Sequence, residues 1–390
     1  MKICVFFHAF EPIHENKDPE QILLGLRDIG FKSEMVTYQK PVLDRYNKFP
    51  IRKITPQQAH DVNFWRSTEY DAVIAYTWLR NDLLWVLRVL KEAGKKVIAK
   101  ADTDGRYSFP VYPRWDTYIK KSLNILDYLK IARRRFKRRF NAKKYIDYLA
   151  EHLTLADYII VETPQAQANL AYFLSYWKNP DLIKKLFVIP NPVADDAMNS
   201  TIPERKQNRI TAIGNWQIKF GSYYAKNTAM MITSICNFLS KRTDYHAEIL
   251  GDGADIIRDI IKKRNLKETR RLDIAGSVGH QKVINSLAES QVFFMPSTFE
   301  GLSIAASEAV CMGCSIVGSP LECLRYLSQE GSNGTLAADF REEAYLGALI
   351  ADVLKWERGI YSAKNISSIW RNRLKKLEIA RQYKDLIKSI

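Results

Sequence analysis

The chain has 390 residues, 46% of them apolar, which is enough for two domains with buried cores and excludes a disordered chain. Its formal net charge of +16 favours a polyanionic partner: nucleic acid, an anionic membrane face or a phosphorylated ligand. No apolar run approaches the roughly 20 residues that a transmembrane helix needs. The opening MKICVFFHAFEP is too short in its apolar part, and meets acids too early, for a secretory signal. A cytoplasmic protein is expected. The five cysteines, Cys4, Cys236, Cys311, Cys314 and Cys323, are odd in number and scattered, which argues against a disulfide framework. Cys311 and Cys314 have zinc-like spacing without a second pair, so they read as small buried residues and no metal site is expected.

In chain order, Lys2 to Phe7 is an apolar strand and His8 to Lys17 a loop. Asp18-Pro19-Glu20-Gln21 opens a helix with Asp18 as cap, and Gly30 ends it. Lys32 to Tyr38, Asp71 to Tyr76 and Lys96 to Lys100 read as strands, and Asn81 to Ala93 as an amphipathic helix closed by Gly94. Such strand–helix alternation implies a parallel sheet with helices on both faces, whose ligands bind at the carboxyl ends of the strands. Ala101 to Arg106, holding Asp102 and Asp104, is one loop at such an end; its bland reading is an Asp-rich turn before Gly105. Arg114 to Thr154 reads as mostly helical. Within it, Lys130 to Lys144, KIARRRFKRRFNAKK, carries nine basic residues and no acid. That run suits a solvated face or docking on anionic lipid through charge with Ile131, Phe136 and Phe140 in the interface. Asp157 to Glu162 is a strand, and Thr163-Pro164 opens a helix. Phe187 to Asn191 closes this half, and the polar stretch from Val193 to Asn208 reads as a linker.

The second half repeats the alternation. Arg209 to Ile213, Tyr245 to Leu250 and Leu272 to Ala275 are strands, followed by Gly214-Asn215-Trp216, Gly251-Asp252-Gly253 and Gly276-Ser277-Val278. Lys226-Asn227 and Gln281 open helices. The stretch QVFFMPSTFEGLSIAASEAVCMGCSIVGSP, Gln291 to Pro320, organises this half. Val292 to Met295 is a buried strand stopped by Pro296. Ser297 to Leu302 is a loop, Ser303 caps a helix from Ile304 to Met312, Gly313 ends it, and Ser315 to Val317 is the next strand. A helix N-terminus attracts phosphate, and the Gly301-Leu302-Ser303 backbone presents N–H groups there. Glu300 in the loop and Glu308 in the helix can each accept two hydrogen bonds from neighbouring sugar or ribose hydroxyls, or be solvated helix-end charges. Helices at Phe340 to Trp356 and over the basic, amphipathic Arg371 to Ile390 complete the chain.

FEGLSIAASEA with GCSIVGS behind it resembles the E-x7-E segment of the retaining, family-4-like GT-B glycosyltransferases, the glycosyl transferases group 1. VIPNPV resembles that family's interdomain segment. The resemblance implies an α/β, GT-B architecture: two doubly wound Rossmann-like domains facing a central cleft. The expected division is 1–195 as acceptor-side domain, 209–370 as nucleotide-sugar domain, and 371–390 as a last helix packing back on the first. It implies that Glu300 approaches the donor sugar and Glu308 holds the nucleotide ribose. Lys226 matches the basic residue that clasps the diphosphate; the expected Arg near Gly214-Asn215-Trp216 is missing, and Lys219 is the nearest substitute. Gly276, Ser277 and Val278 fall where the family seats the base. Asp102 or Asp104 follows a strand where the family places a polar residue facing the reaction centre, and could accept the acceptor's proton. The Asp-x-Asp there resembles the metal signature of the other glycosyltransferase fold. Two departures are plain: no Gly-rich turn follows the first strand, and the family's His near Asp102 is absent.

The resemblance implies transfer with retention from a nucleotide sugar, most often a UDP-sugar and here UDP-glucose, with no cofactor or required metal. The acceptor is expected to be a hydroxyl of a glycan or lipid-linked glycan in polysaccharide biosynthesis, with the Lys130 to Lys144 run holding the protein peripherally on the inner membrane face. Two alternatives stand beside it. One is a GT-B sugar-nucleotide epimerase or phosphorylase-like enzyme. The other is a nucleic-acid binder using the basic run, which leaves Glu300 and Glu308 unexplained; no nucleic-acid partner is expected.

Overall fold

A computed structural model describes residues 1–11, 14–39, 48–105, 133, 142–176, 180–217, 225–267 and 270–389. Contacts divide the chain into two compact units, Met1–Pro190 with Ile379–Ile390, and Asn191–Glu378.

The first unit is built on short runs such as AVIAY and YIIV, apolar at every position. A strand of that kind must be covered on both faces, which a parallel sheet between helix layers provides. Its strands are β1 (Lys2–Phe6), β2 (Lys32–Thr37), β3 (Ile51–Lys53), β4 (Ala72–Tyr76), β5 (Lys96–Lys100), β6 (Tyr158–Val161) and β7 (Leu186–Val188). They form one parallel sheet in the order β3-β2-β1-β4-β5-β6-β7. Its helices are α1 (Asp18–Asp28), α2 (Pro56–His60), α3 (Val62–Ser67), α4 (Trp85–Glu92), α5 (Ala142–Leu155) and α6 (Pro164–Tyr176). The period of two splits each strand between two cores. Cys4, Phe6, Val73, Ala75, Val97 and Ala99 face Leu87 and Leu90 of α4 and Leu149 and Leu153 of α5. Ile3, Val5, Ile74, Ile98 and Ile160 face Ile22, Leu23 and Leu26 of α1 and, from the chain's last helix, Ile379, Tyr383 and Ile387.

The second unit has β8 (Gln207–Ile213), β9 (His246–Leu250), β10 (Leu272–Gly276), β11 (Ser290–Met295), β12 (Ser315–Gly318) and β13 (Gly334–Leu336). They too are parallel, in the order β10-β9-β8-β11-β12-β13. Its helices are α7 (Asp195–Asn199), α8 (Thr228–Lys241), α9 (Ala254–Lys263), α10 (His280–Glu289), α11 (Ile304–Cys311), α12 (Glu322–Leu327), α13 (Glu342–Glu357) and α14 (Ala363–Leu374). Ile210, Ala212, Val292, Phe294 and Val317 pack on one face, and Phe293, Met295 and Ile316 on the other. The last helix, α15 (Lys376–Ser389), follows.

Three local expectations change. Asp18 is not the cap of α1: Lys17 is, and Asp18 is the first helical residue, buried where the Tyr76 hydroxyl donates to its Oδ2 at 2.5 Å. The helix expected from Asn81 starts at Trp85, because the preceding residues close in tighter i→i+3 turns, with the Leu83 N–H on the Arg80 carbonyl at 2.9 Å and the Val86 N–H on that of Leu83 at 3.4 Å. The helix expected over Arg371 to Ile390 is two helices, broken where Lys375 turns extended (φ −71°, ψ 139°) and bridges Val193.

Candidate functional site

In the second unit the strand order reverses between β8 and β11. In doubly wound sheets such a switch point is where ligands bind, outside the carboxyl ends of the strands. Gly214 ends β8, and Ser297 to Ser303 follow β11. The two loops are tied together, since the Thr298 N–H donates to the Ala225 carbonyl at 2.8 Å.

Glycines let the strand ends close up. A Cβ on Gly251 would lie 1.8 Å from the Gly214 carbonyl, and Gly251 has φ +117°. Its N–H donates to the Gly276 carbonyl at 2.7 Å, so the ends of β8, β9 and β10 lie side by side. Buried Trp216 seals them from below, donating from Nε1 to the Leu250 carbonyl at 3.0 Å. At about 4.8 Å between strands, the ends of β10 and β11 lie roughly 14 Å apart. Along the row of strand ends, Gly276, exposed Ser277 and half-buried Val278 thus stand at one side, with Gly214 nearer the middle and Glu300 at the other side.

Ser303 caps α11: its Oγ accepts the Ala306 N–H at 3.3 Å, and its carbonyl takes that of Ser307. The Ile304 and Ala305 N–H groups remain as the donors of this N-terminus, in the position where an anion is stabilised. Beside it, Lys226 Nζ and Glu300 Oε1 form an ion pair at 2.5 Å, with side chains 23% and 14% exposed. Gly301 is half-buried and Leu302 buried beneath the loop. The Ser297 hydroxyl is buried without a partner. Glu308 is one turn further along α11, its side chain 6% exposed. Its Oε1 faces His280 Nε2 at 2.7 Å, and His280 Nδ1 faces Asp196 Oδ2 at 2.5 Å. Burial alone would push His280 down, but the bonds to Asp196 and Glu308 outweigh it and raise it to about 10. Lys219 lies outside the described residues. His280 and Asp196 escaped the sequence reading; His280 stands two places after Val278 and would be signalled only by knowing that α10 packs on both α7 and α11.

In the first unit, Asp102 follows β5 with φ +46°. Its Oδ2 accepts the Trp78 Nε1–H at 3.0 Å. Glu162, at the end of β6, accepts the N–H groups of Asp102 (3.0 Å) and Thr103 (3.1 Å) and pairs with fully buried Lys100 at 2.6 Å. Burial pushes the Glu162 carboxyl up to about 7, opposed by Lys100. Asp18 is also pushed up, by burial and by the Asp102 charge. Asp104 turns its carbonyl to Asn169 Nδ2 at 2.8 Å. The structure therefore sets Asp102 in a buried polar cluster with Glu162, Lys100 and Asp18, and Asp104 against α6. Sequence reasoning missed Trp78, Lys100 and Glu162.

Most of Lys130 to Lys144 lies outside the described residues; Arg133, Lys143 and Lys144 are exposed. Among the described residues no helix is long and apolar enough to cross a membrane, and no group of three or more His, Cys, Asp or Glu is placed to hold a metal. Cys314 is buried, donating to the carbonyls of Leu287 and Ser290.

Residues 208–353 match the model of the family described as glycosyl transferases group 1. No curated protein matches the chain. Among solved structures, HepE from Anabaena in complex with UDP and glucose superposes with a TM-score of 0.70 at 13% identity, over 100% of both chains. A glycosyltransferase from Rickettsia africae gives 0.69 at 13% identity over 100% of this chain and 98% of that one. The lipopolysaccharide outer core galactosyltransferase WaaB gives 0.66 at 16% over 100% and 99%. At such identities the likeness shows the fold alone, the GT-B class of two Rossmann-like units.

Proposed function

We propose that this GT-B chain, whose residues 208–353 match the glycosyl transferases group 1, transfers glucose from UDP-glucose, with retention, to a hydroxyl of a glycan or lipid-linked glycan in polysaccharide biosynthesis. The observation that carries this reading is the Lys226–Glu300 pair beside the capped N-terminus of α11. The N–H donors and the Lys226 ammonium suit a diphosphate, and Glu300 suits the hydroxyls of the sugar attached to it. HepE was solved with UDP and glucose, which supports the choice of donor.

Bond cleavage leaves positive charge on the sugar ring and negative charge on the departing diphosphate, as in other glycosyl chemistry. Preorganised donors lower that barrier because they need no reorientation as charge develops. Lys226, Lys219 and the α11 N-terminus are the groups we assign to the diphosphate. Gly214 allows close backbone approach, Gly276, Ser277 and Val278 seat the base, and Gly301, Leu302 and Ser303 line the loop. Asp102, oriented by Trp78 and held by Glu162, is favoured over Asp104 as the carboxylate facing the acceptor hydroxyl. The Lys130 to Lys144 run is assigned to an anionic membrane face, where each basic residue contributes about 1 kcal/mol. Calorimetric titration with a panel of nucleotide sugars tests the donor: UDP-glucose is expected to bind tightest. Tighter binding of another nucleotide sugar overturns that choice. Consumption of the sugar nucleotide without any acceptor would move the reading to an epimerase.

A further inference from the structure

We propose that His280 is a positioning residue for nucleotide recognition: clamped between Asp196 and Glu308, it holds the Glu308 carboxylate in the one orientation that meets the ribose hydroxyls. The inference rests on the reading of Glu308 as the ribose-binding residue.

The geometry carries it. Glu308 lies on α11, whose side chains are nearly all buried, and a buried carboxylate without a donor is costly. His280 supplies that donor at 2.7 Å from Oε1. The ring's other nitrogen lies 2.5 Å from Asp196 Oδ2. With a carboxylate oxygen at each end, a neutral imidazole would aim one lone pair at an anion; only the doubly protonated ring donates at both. One cation then serves two carboxylates, and the chain Asp196–His280–Glu308 is fixed end to end. Three short elements, α7, α10 and α11, supply one group each. With Oε1 occupied, the ribose falls to Oε2, so the neighbouring hydroxyls meet a carboxylate whose rotation is already arrested. Arresting it beforehand spares the ordering entropy that binding would otherwise cost.

The test compares two ligands on four proteins. Whichever of UDP, GDP and ADP the wild type binds tightest is titrated beside its 2′,3′-dideoxy analogue. The proteins are wild type, Glu308→Ala, His280→Leu and the double variant, each checked for a cooperative thermal transition. Wild type should prefer the ribose form by about tenfold or more, as expected for hydrogen bonds to a charged group. Glu308→Ala should abolish that preference. His280→Leu should remove most of it while leaving affinity for the dideoxy analogue within about twofold, and the double variant should lose nothing further. His280→Gln, which keeps one donor, should restore part of the preference. If Glu308→Ala keeps the full preference, the ribose reading itself falls. If Glu308→Ala abolishes it while His280→Leu retains it, or if His280→Leu weakens both ligands equally, His280 merely braces the scaffold and the positioning role is overturned. Should His280→Leu fail to fold, Asp196→Asn, which removes the anion at the ring's far nitrogen, takes its place under the same criterion.

Discussion

Lys226 and Glu300 form an ion pair beside the N-terminus of α11, and the pair makes a prediction with opposite signs for its two halves. Their charged atoms are 2.5 Å apart and mostly shielded, so each neutralises the other. A donor diphosphate arriving at the α11 N-terminus competes with Glu300 for the ammonium. A hydrogen bond to a charged group is worth about 1.5–3 kcal/mol net. Lys226→Ala should therefore weaken UDP binding about ten- to a hundredfold. Part of that loss comes from Glu300, left as an unpaired anion beside the phosphates. Glu300→Gln removes the competitor and should leave UDP affinity unchanged or raise it several-fold, while turnover falls because the sugar loses a charged acceptor. The double variant should bind UDP better than Lys226→Ala alone, since the uncompensated charge is gone. Isothermal titration with UDP at two salt concentrations, on proteins with matched thermal transitions, reads all three. UDP affinity in Lys226→Ala within twofold of wild type would refute the diphosphate assignment. Weakened UDP binding in Glu300→Gln would show that the carboxylate assists the nucleotide rather than the sugar.

Activity should survive EDTA, as the family resemblance implies; loss that Mn²⁺ or Mg²⁺ restores would contradict this. Replacing Arg133, Arg134, Arg135, Arg138 and Arg139 with Gln should release the protein from anionic liposomes and leave UDP affinity intact, and salt should weaken wild-type binding. Equal, poor sedimentation of the wild type with neutral and anionic vesicles would remove the membrane role. Asp352 is fully buried among the hydroxyls of Ser315, Thr335 and Tyr361, and burial pushes it up to about 6. A folded-state value above the unfolded one means the native state holds the proton more tightly, so this contribution is present at low pH and lost as pH rises through about 4 to 6. At about 1.4 kcal/mol per unit, Asp352→Asn should gain up to about 3 kcal/mol relative to wild type across that window in urea unfolding. Parallel stability curves for the two proteins would remove the argument.

The α/β class was legible because a buried parallel strand and an amphipathic helix are written in neighbouring residues. DAVIAY, KVIAK and QVFFM announce strands by apolar content alone. Ser303 announces a helix start because its hydroxyl reaches an N–H three residues away. Glu300 and Glu308 stood out for the same reason, through a loop and helix contained within one short stretch. What the sequence could not show are meetings across long separations. Asp196, His280 and Glu308 come together only because α7, α10 and α11 pack on one another. Glu162 reaches Lys100 and the Asp102 loop only through the pairing of β5 with β6. The positive φ of Trp78 and Asp102 opposes their local preference and persists because tertiary hydrogen bonds hold it. The break at Lys375 is likewise invisible in a continuous amphipathic pattern, since a bridge to Val193 makes it. Local propensity extends over a few residues, whereas strand order and helix packing decide which distant charges share a buried space, and burial is what makes those charges matter.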